Sequence, residues 1–551
     1  MPEWTLGAVL DAVAAAVPDR LMTVCGARRT TFAAAAAGTR AFANFLADRG
    51  FGAHTPRARL ARWECGQDRI ALLMRNDRYP EALIGCLKAR VIPVNVNHHY
   101  TLEEIRDLLA YVRPRGVVYH RSFGPAVAEA LGPGGAELLV SVEDGGATAD
   151  LPGAVSFDAA VESGDPGRVP ETSPDDLIMM CTGGTTGRPK GVLWRQGDMY
   201  VAAMGGADHP NTEALHEIAR RGGQTWFAVS PLLHAAGVWT VLAGALNGHT
   251  VVLYDDREPF DAHRTWEIAA RERVRMLTIV GDAYAGPLAE QLRRAEYDLS
   301  ALRSIGTGGA ATHSRHRDAL FERLPGVAIV DGYGSSETGG MGYGNSRDDA
   351  RVETFALMPG GAAVSADRRR FLRPGDTETG WAARTGRVPL GYFDDRAATE
   401  STFPVIDGVR VAIPGDRATL DPDGNLRLIG RDSLVVNTGG EKVFVEEVET
   451  VLRAQDGVAD ALVVGRASPR WGQEVVALVH ARPAAGLTGE ALRAACRVRL
   501  AGYKVPKAVL FVDGIRRLGN GKPDYRWALA RAADAVSLGD PADMVNGTER
   551  R

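Results

Sequence analysis

The chain has 551 residues, with 64 Lys and Arg against 68 Asp and Glu, a formal net charge of −4. Apolar residues make up 45% and charged residues 24%, ordinary globular composition in a chain long enough to bury its own core. This balance argues against a dedicated nucleic-acid or anionic-membrane binder, which carries a basic excess, and the length allows roughly three to four domain-sized units.

The first residues carry Glu3 and Asp11 and no basic opening, so they do not read as a signal peptide. Ala33–Arg49 reads as a helix. Strand candidates follow at Ile70–Met74, Ile92–Val96, Val117–Tyr119, Leu138–Val142, Leu177–Cys181, Val251–Tyr254, Met276–Val280 and Val327–Val330, with a helix at Tyr284–Arg294. They are rich in Val, Ile and Leu and are separated by helix-length segments, the pattern of parallel α/β sheets buried on both faces. Ala53–Trp63 and Glu143–Pro174 read as surface loops, with Arg57, Arg59 and Arg62 a solvated face. The apolar run Ala235–Leu246 is shorter than the about 20 residues a membrane span needs.

After Arg431 the texture changes. A helix is expected over Glu446–Arg453, strands at Ala461–Val464 and Val475–His480, a helix near Thr488–Leu500 and a strand at Ala508–Val512. The expected fold is α/β. A large multi-subdomain N-terminal region with parallel-rich sheets (1–431) precedes a small mobile α+β domain (432–535) and a disordered tail (536–551). Cys25, Cys65, Cys86, Cys181 and Cys496 form no C-x-x-C pair, which fits a cytoplasmic protein.

Cys181-Thr-Gly-Gly-Thr-Thr-Gly-Arg-Pro-Lys-Gly191 follows a strand candidate and gathers backbone and hydroxyl donors with the charge of Lys190, the makings of a phosphate cradle. It is not a P-loop, since no Ser or Thr follows the lysine. In Asp331-Gly-Tyr-Gly-Ser-Ser-Glu-Thr-Gly-Gly340, Glu337 offers a hard-cation ligand, and Ser335, Ser336 and Thr338 offer donors. Asp416 and Arg431 sit at strand ends suited to ribose hydroxyls, Asn437–Val443 is a further Gly turn, and Gly519-Asn-Gly-Lys522 places one lysine on a tight loop.

In order and spacing these motifs resemble the adenylate-forming superfamily: acyl-CoA synthetases, peptide-synthetase adenylation domains and beetle luciferases. The resemblance spans about Thr30 to Trp527. Gly408–Asp416, Asn437–Val443, Gly502-Tyr-Lys with Pro506-Lys507, and Gly521–Trp527 are most similar to actinobacterial CoA ligases for steroid side-chain or polycyclic terpenoid carboxylic acids.

The resemblance implies an ATP-dependent acyl-CoA ligase that activates a bulky hydrophobic acid through acyl-AMP to its CoA thioester, with ATP, Mg2+ and coenzyme A. It implies that Thr182, Gly183, Gly184, Thr185, Thr186, Gly187 and Lys190 hold the outer phosphates, that Glu337 binds Mg2+ and that Thr338 meets the α-phosphate. Tyr333 would pack on adenine, with Gly308, Gly309, Ala310, Asp331, Gly332, Gly334 and Ser335 completing the nucleotide site. Asp416 and Arg431 would hold ribose, and Lys522 would bridge carboxylate and α-phosphate during adenylation. His234 would sit beside the substrate carboxylate, with Val238, Trp239, Asp282 and Tyr284 lining the acyl pocket. Gly439 and Gly440 would face pantetheine, supported by Glu441 and Lys442, and Ser433 would be the hinge where relatives often have Asp or Lys. Position 331 is Asp where many relatives carry a polar amide, and Cys181 reads as packing.

The partners implied are a small-molecule carboxylic acid and CoA, with no nucleic acid, no membrane span and a homodimer. One alternative is a member that performs mainly one half-reaction, thioesterification of supplied acyl-AMP or acyl-AMP formation for a carrier protein. Two rivals stand further off. Gly306-Thr-Gly-Gly-Ala-Ala311 with Asp331 loosely matches a dinucleotide fingerprint, but Asp331 belongs to the better-matching Gly-Tyr-Gly-Ser-Ser-Glu segment. An inactive scaffold is the other, and retention of Lys190, Glu337, Asp416, Arg431 and Lys522 weighs against it.

Overall fold

A computed structural model describes residues 2–183, 189–230, 232–233, 235–309, 312, 314–345, 354–431, 435–483, 486–516 and 525–533. Gly184, Thr185, Thr186, Gly187, His234, Ala310, Ser433, Lys522 and the 536–551 tail lie outside these residues, as do the side chains of Thr182, Asp282 and Arg431.

Among the described residues the larger sheet has 15 strands. One half is parallel, running Leu21–Cys25, Thr250–Leu253, Thr225–Ala228, Met276–Ile279, Ser304–Gly308 and Ala328–Ser335 in spatial order. Helices such as Ala262–Arg271 and Gly281–Arg294 supply the crossovers that parallel strands require. A second, 8-stranded sheet centres on Arg69–Leu73, flanked in parallel by Ile92–Asn95 and Gly116–His120. It carries the hairpin Leu177–Gly183/Pro189–Arg195. The strands read from sequence are all present. The first expected helix forms as Phe32–Ala47, with the Thr31 side chain accepting from the Ala34 amide as its N-cap.

The parallel-rich reading holds through Ala328–Ser335. From Gly339–Asn345 onward the larger sheet is antiparallel, through Gly361–Val364, Gly380–Thr385, Asp416–Leu420 and Leu426–Arg431. Several of these strands, Gly-Ala-Ala-Val among them, are too poor in β-branched residues to announce themselves. Glu143–Pro174 is likewise not all loop: it holds the short strand Val155–Ser156 and the helix Phe157–Ser163, which packs on Phe32–Ala47.

The smaller C-terminal unit is built on the long hairpin Val458–Ser468/Gly472–Ala481. Leu492 and Cys496 of the helix Gly489–Arg499 share one face of its sheet with Val448 and Leu452 of Val445–Arg453. Ala528 and Ala532 of Tyr525–Ala533 pack on the other with Leu462, Val464 and Leu478. Among the described residues no helix is long and apolar enough to cross a membrane.

Candidate active site

The parallel strands of the larger sheet end at one edge, where the second sheet's hairpin and the C-terminal unit converge. A cavity of about 640 Å3 opens there, within the range of small-molecule sites. Alternate residues of neighbouring strands point to one face of a pleated sheet, and Trp226, Met276, Thr278, Ser304 and Gly306 form one wall. The helix Ala235–Leu246 lies opposite, presenting Ala235, Ala236, Trp239, Thr240 and Ala243. Ala, Thr, Ser and Gly positions on both sides leave room beside Trp226, Met276 and Trp239, and the arm is largely apolar.

The other end is polar. Lys190, Gly308, Gly309, Gly332, Tyr333, Gly334, Ser335, Ser336 and Glu337 border it. Gly334 lets the strand Ala328–Ser335 turn back closely, since a Cβ there would fall 2.1 Å from the Gly339 carbonyl oxygen. The Trp194 indole N–H donates to the Ser336 carbonyl at 2.8 Å and fixes the turn that presents Glu337. The Tyr392 hydroxyl donates to Glu337 Oε1 at 3.0 Å. Lys190 Nζ lies 5.1 Å from the centroid of the same Tyr392 ring, a cation–π arrangement. Burial first, and the Glu337 charge second, raise the Tyr392 phenol far above its ordinary range, so it stays a donor.

The Tyr333 hydroxyl donates to Asp416 Oδ2 at 2.7 Å. Asp416 and Arg431 are direct cross-strand partners, which brings the two expected ribose ligands onto adjacent backbone. The C-terminal unit borders the cavity: Gly440, Glu441 and Lys442 line it with Tyr503 and Lys504. Gly440 has φ +87°, and a Cβ there would meet Val280 Cγ1 at 2.7 Å. Gly439, beside it in the turn, donates its amide to the Trp471 carbonyl at 2.9 Å.

Four expected residues lie elsewhere than on this wall. Val238 is 2% exposed and belongs to the core, because residues 235, 236, 239, 240 and 243 make up the helix face toward the cavity and 238 does not. Tyr284 packs on Phe260, ring centroids 4.7 Å apart. Asp331 takes an ion pair from Arg317 at 3.1 Å, both side chains nearly buried, which accounts for a carboxylate at that position. Thr338 is fully buried; its hydroxyl accepts from the Ser335 amide at 2.9 Å and donates to the Gly339 carbonyl at 3.0 Å, so it holds the turn. The Cys181 thiol lines the cavity, but burial pushes it up to about 12, which leaves it un-ionised and consistent with packing.

Tyr392, Asn95 and Arg317 escaped the sequence reading. Asn95 accepts from the Cys181 amide at 3.3 Å and donates to the Leu233 carbonyl at 2.7 Å, joining the strand Leu177–Gly183 to the segment that precedes the helix Ala235–Leu246.

The AMP-binding enzyme family matches this chain over residues 10–364, and its C-terminal domain over 447–522. The chain belongs to the AMP-binding enzyme family. Medium-chain acyl-CoA ligase Mig of Mycobacterium avium is 41% identical over 96% of this chain and 98% of its own. The 3-oxocholest-4-en-26-oate–CoA ligase of Rhodococcus rhodochrous is 33% identical over 96% and 95%. Among solved structures, the amide bond synthetase of Marinactinospora thermotolerans superposes with a TM-score of 0.77 at 23% identity, covering 95% of this chain and 99% of that one. This AMP-binding enzyme is an acyl-CoA synthetase, of the class that uses ATP, Mg2+ and coenzyme A.

Proposed function

We propose that this synthetase activates a bulky hydrophobic, steroid- or diterpenoid-like carboxylic acid to its acyl-AMP and then to its CoA thioester. The observation that carries the reading is one cavity in which a polar end with Lys190 and Glu337, an apolar arm and the Gly440–Lys442 turn of the C-terminal unit meet. The relatives named for a steroid acid support the substrate class.

In this reading Lys190 and the 182–187 segment hold the outer phosphates, and Tyr333 flanks the base. Asp416 and Arg431 hold ribose, and Lys522 bridges the attacking carboxylate and the α-phosphate. Such displacements need positioning and charge stabilisation more than covalent help. Glu337, a carboxylate on the cavity wall with one oxygen steadied by Tyr392, fits the oxygen ligand that Mg2+ takes; when bound, the ion would neutralise phosphate charge. His234 and Asp282 belong to the acyl end, Trp239 lines its arm, and Gly439–Lys442 guides the thiol. Residues 1–431 form the nucleotide- and acid-binding body and 432–535 the lid, with Ser433 as hinge. The proposal includes a cytoplasmic location and a homodimer, the latter read by light scattering.

The test is a panel of acids (decanoic, cholanic, abietic) scored separately for acyl-AMP and acyl-CoA by mass spectrometry. Thioester from cholanic or abietic acid with ATP and CoA is expected. Thioester only from supplied acyl-AMP would move the chain to the one-half-reaction alternative.

A further inference from the structure

The lid meets the body through a charge cluster apart from the nucleotide end. Lys504 is 4% exposed, and its Nζ lies 2.7 Å from Glu104 Oε1 of the body and 2.7 Å from Glu447 Oε2 of its own unit. Burial opposes its charge, but Glu447 and Glu104 outweigh that cost and hold the ammonium above its ordinary range. Glu104 is pre-set for this contact. It is the N3 residue of a capping box on the helix Leu102–Val112, where its other oxygen, Oε2, accepts from the Thr101 amide at 2.9 Å and leaves Oε1 for the lysine. One residue earlier, Glu103 takes Arg499 in a two-pronged pair at 2.5 and 3.1 Å. The rings of Tyr100 and Tyr503, one from each unit, lie 5.1 and 5.8 Å from Lys504 Nζ.

The cluster is asymmetric in a way that bears on motion. When the lid leaves, Lys504 departs with Glu447, so the ammonium keeps a partner throughout. Glu104 keeps its cap. The body–lid contacts are therefore broken without orphaning a buried charge, which would otherwise be strongly unfavourable. In the position observed, these contacts hold Gly440 against Val280 and the lid turn over the cavity.

We propose that Glu104 and Lys504, backed by Glu103 and Arg499, form a latch that holds the lid in its thiol-accepting position and so sets the rate of thioester formation separately from adenylation. This rests on the two-step reading above. Glu104 and Lys504 act as positioning residues and touch no reacting atom.

The test uses full-length wild type, Glu104→Gln, Glu103→Arg and the exchange Glu103→Arg/Arg499→Glu. Glutamine at 104 keeps one acceptor oxygen for the capping box and puts an amide NH2 in place of the oxygen that faces Lys504, so both the charge and that acceptor are lost. Pyrophosphate release with decanoic or cholanic acid reads adenylation; CoA consumption from premade decanoyl- or cholanoyl-AMP reads the second step. Glu104→Gln is expected to slow the second step about tenfold, the loss of one charged hydrogen bond, and to leave adenylation within about twofold. Glu103→Arg should slow the same step, and the exchange should restore it. Hydrogen exchange at 439–442, measured without substrate, should quicken in Glu104→Gln. Unchanged exchange, an unaltered second step, or equal losses in both steps would overturn the latch. Wild-type protein that releases no pyrophosphate with any acid would overturn the two-step reading instead, while the exchange data still decide whether Glu104 holds the lid.

Discussion

The Tyr392 hydroxyl donates to Glu337 Oε1 at 3.0 Å while Lys190 Nζ stands 5.1 Å from the centre of the same ring. One buried phenol thus aligns the expected cation ligand and the expected phosphate lysine, which come from two different sheets. Tyr392→Phe keeps the ring and removes the donor. It should lower kcat for pyrophosphate release about tenfold, the scale of one hydrogen bond to a charged group, and raise the Mg2+ requirement. Thioester formation from supplied acyl-AMP should be unchanged; equal loss in both steps would assign Tyr392 a general structural role.

The apolar arm owes its room to Ala, Thr, Ser and Gly positions beside Trp226, Met276 and Trp239. Ala243→Phe fills the space between the helix Ala235–Leu246 and the sheet near Trp226 and Met276. KM for cholanic acid should rise more than about tenfold, the scale of a few kcal/mol of overpacking, while a short acid such as hexanoic is spared. Uniform loss across acid sizes would place the acid elsewhere.

Two further variants should separate the half-reactions. Lys522→Ala should cost about 10²–10³ in pyrophosphate release, as removal of one preorganised charge does, and spare thioester formation from supplied acyl-AMP. Gly440→Ala should do the reverse, because its Cβ would press on Val280 and the backbone sits at φ +87°. Kinetics of the isolated steps check both, and identical profiles for the two variants would contradict the division of labour.

Asp256 lies in the buried junction between the two large sheets, its Oδ1 accepting from the Asn76 amide at 3.1 Å. Burial pushes its carboxyl up to about 6 from 3.8, against the pull of Asn76 and Arg75. A raised acid favours the folded state fully below the unfolded value, and that contribution is lost as pH rises through about 6. Asp256→Asn should therefore match wild type in thermal stability near pH 4 and exceed it at pH 7.5, by at most about 3 kcal/mol. A variant less stable than wild type at pH 7.5 would contradict this.

That Lys190 and Glu337 share the polar end of one cavity was legible because chemistry and local order coincide. Lys190 and Glu337 both lie in dense Gly, Ser and Thr segments directly after buried apolar runs. Tyr392 was not, since it lies 55 residues from Glu337 in a stretch with no marking spacing. Glu104 and Lys504 are 400 residues apart, and each reads alone as an ordinary surface charge. The apolar arm was half legible. The expected residues Val238 and Trp239 lie on the helix that borders the cavity, but which of its residues face the cavity depends on where the sheet lies. That is how Trp239 came to line the arm and Val238 the core. The antiparallel half stayed hidden because its Gly- and Ala-rich strands take their stability from neighbours rather than from local preference.

The central claim is that one chain carries a bulky hydrophobic acid through acyl-AMP to a CoA thioester. Its most direct test is a single-turnover time course with cholanic acid, ATP, Mg2+ and CoA, following cholanoyl-AMP and cholanoyl-CoA together by mass spectrometry. The account predicts that the adenylate rises and then falls as the thioester appears. Failure of either species to form from cholanic or abietic acid, while hexanoic acid is fully converted, would contradict it.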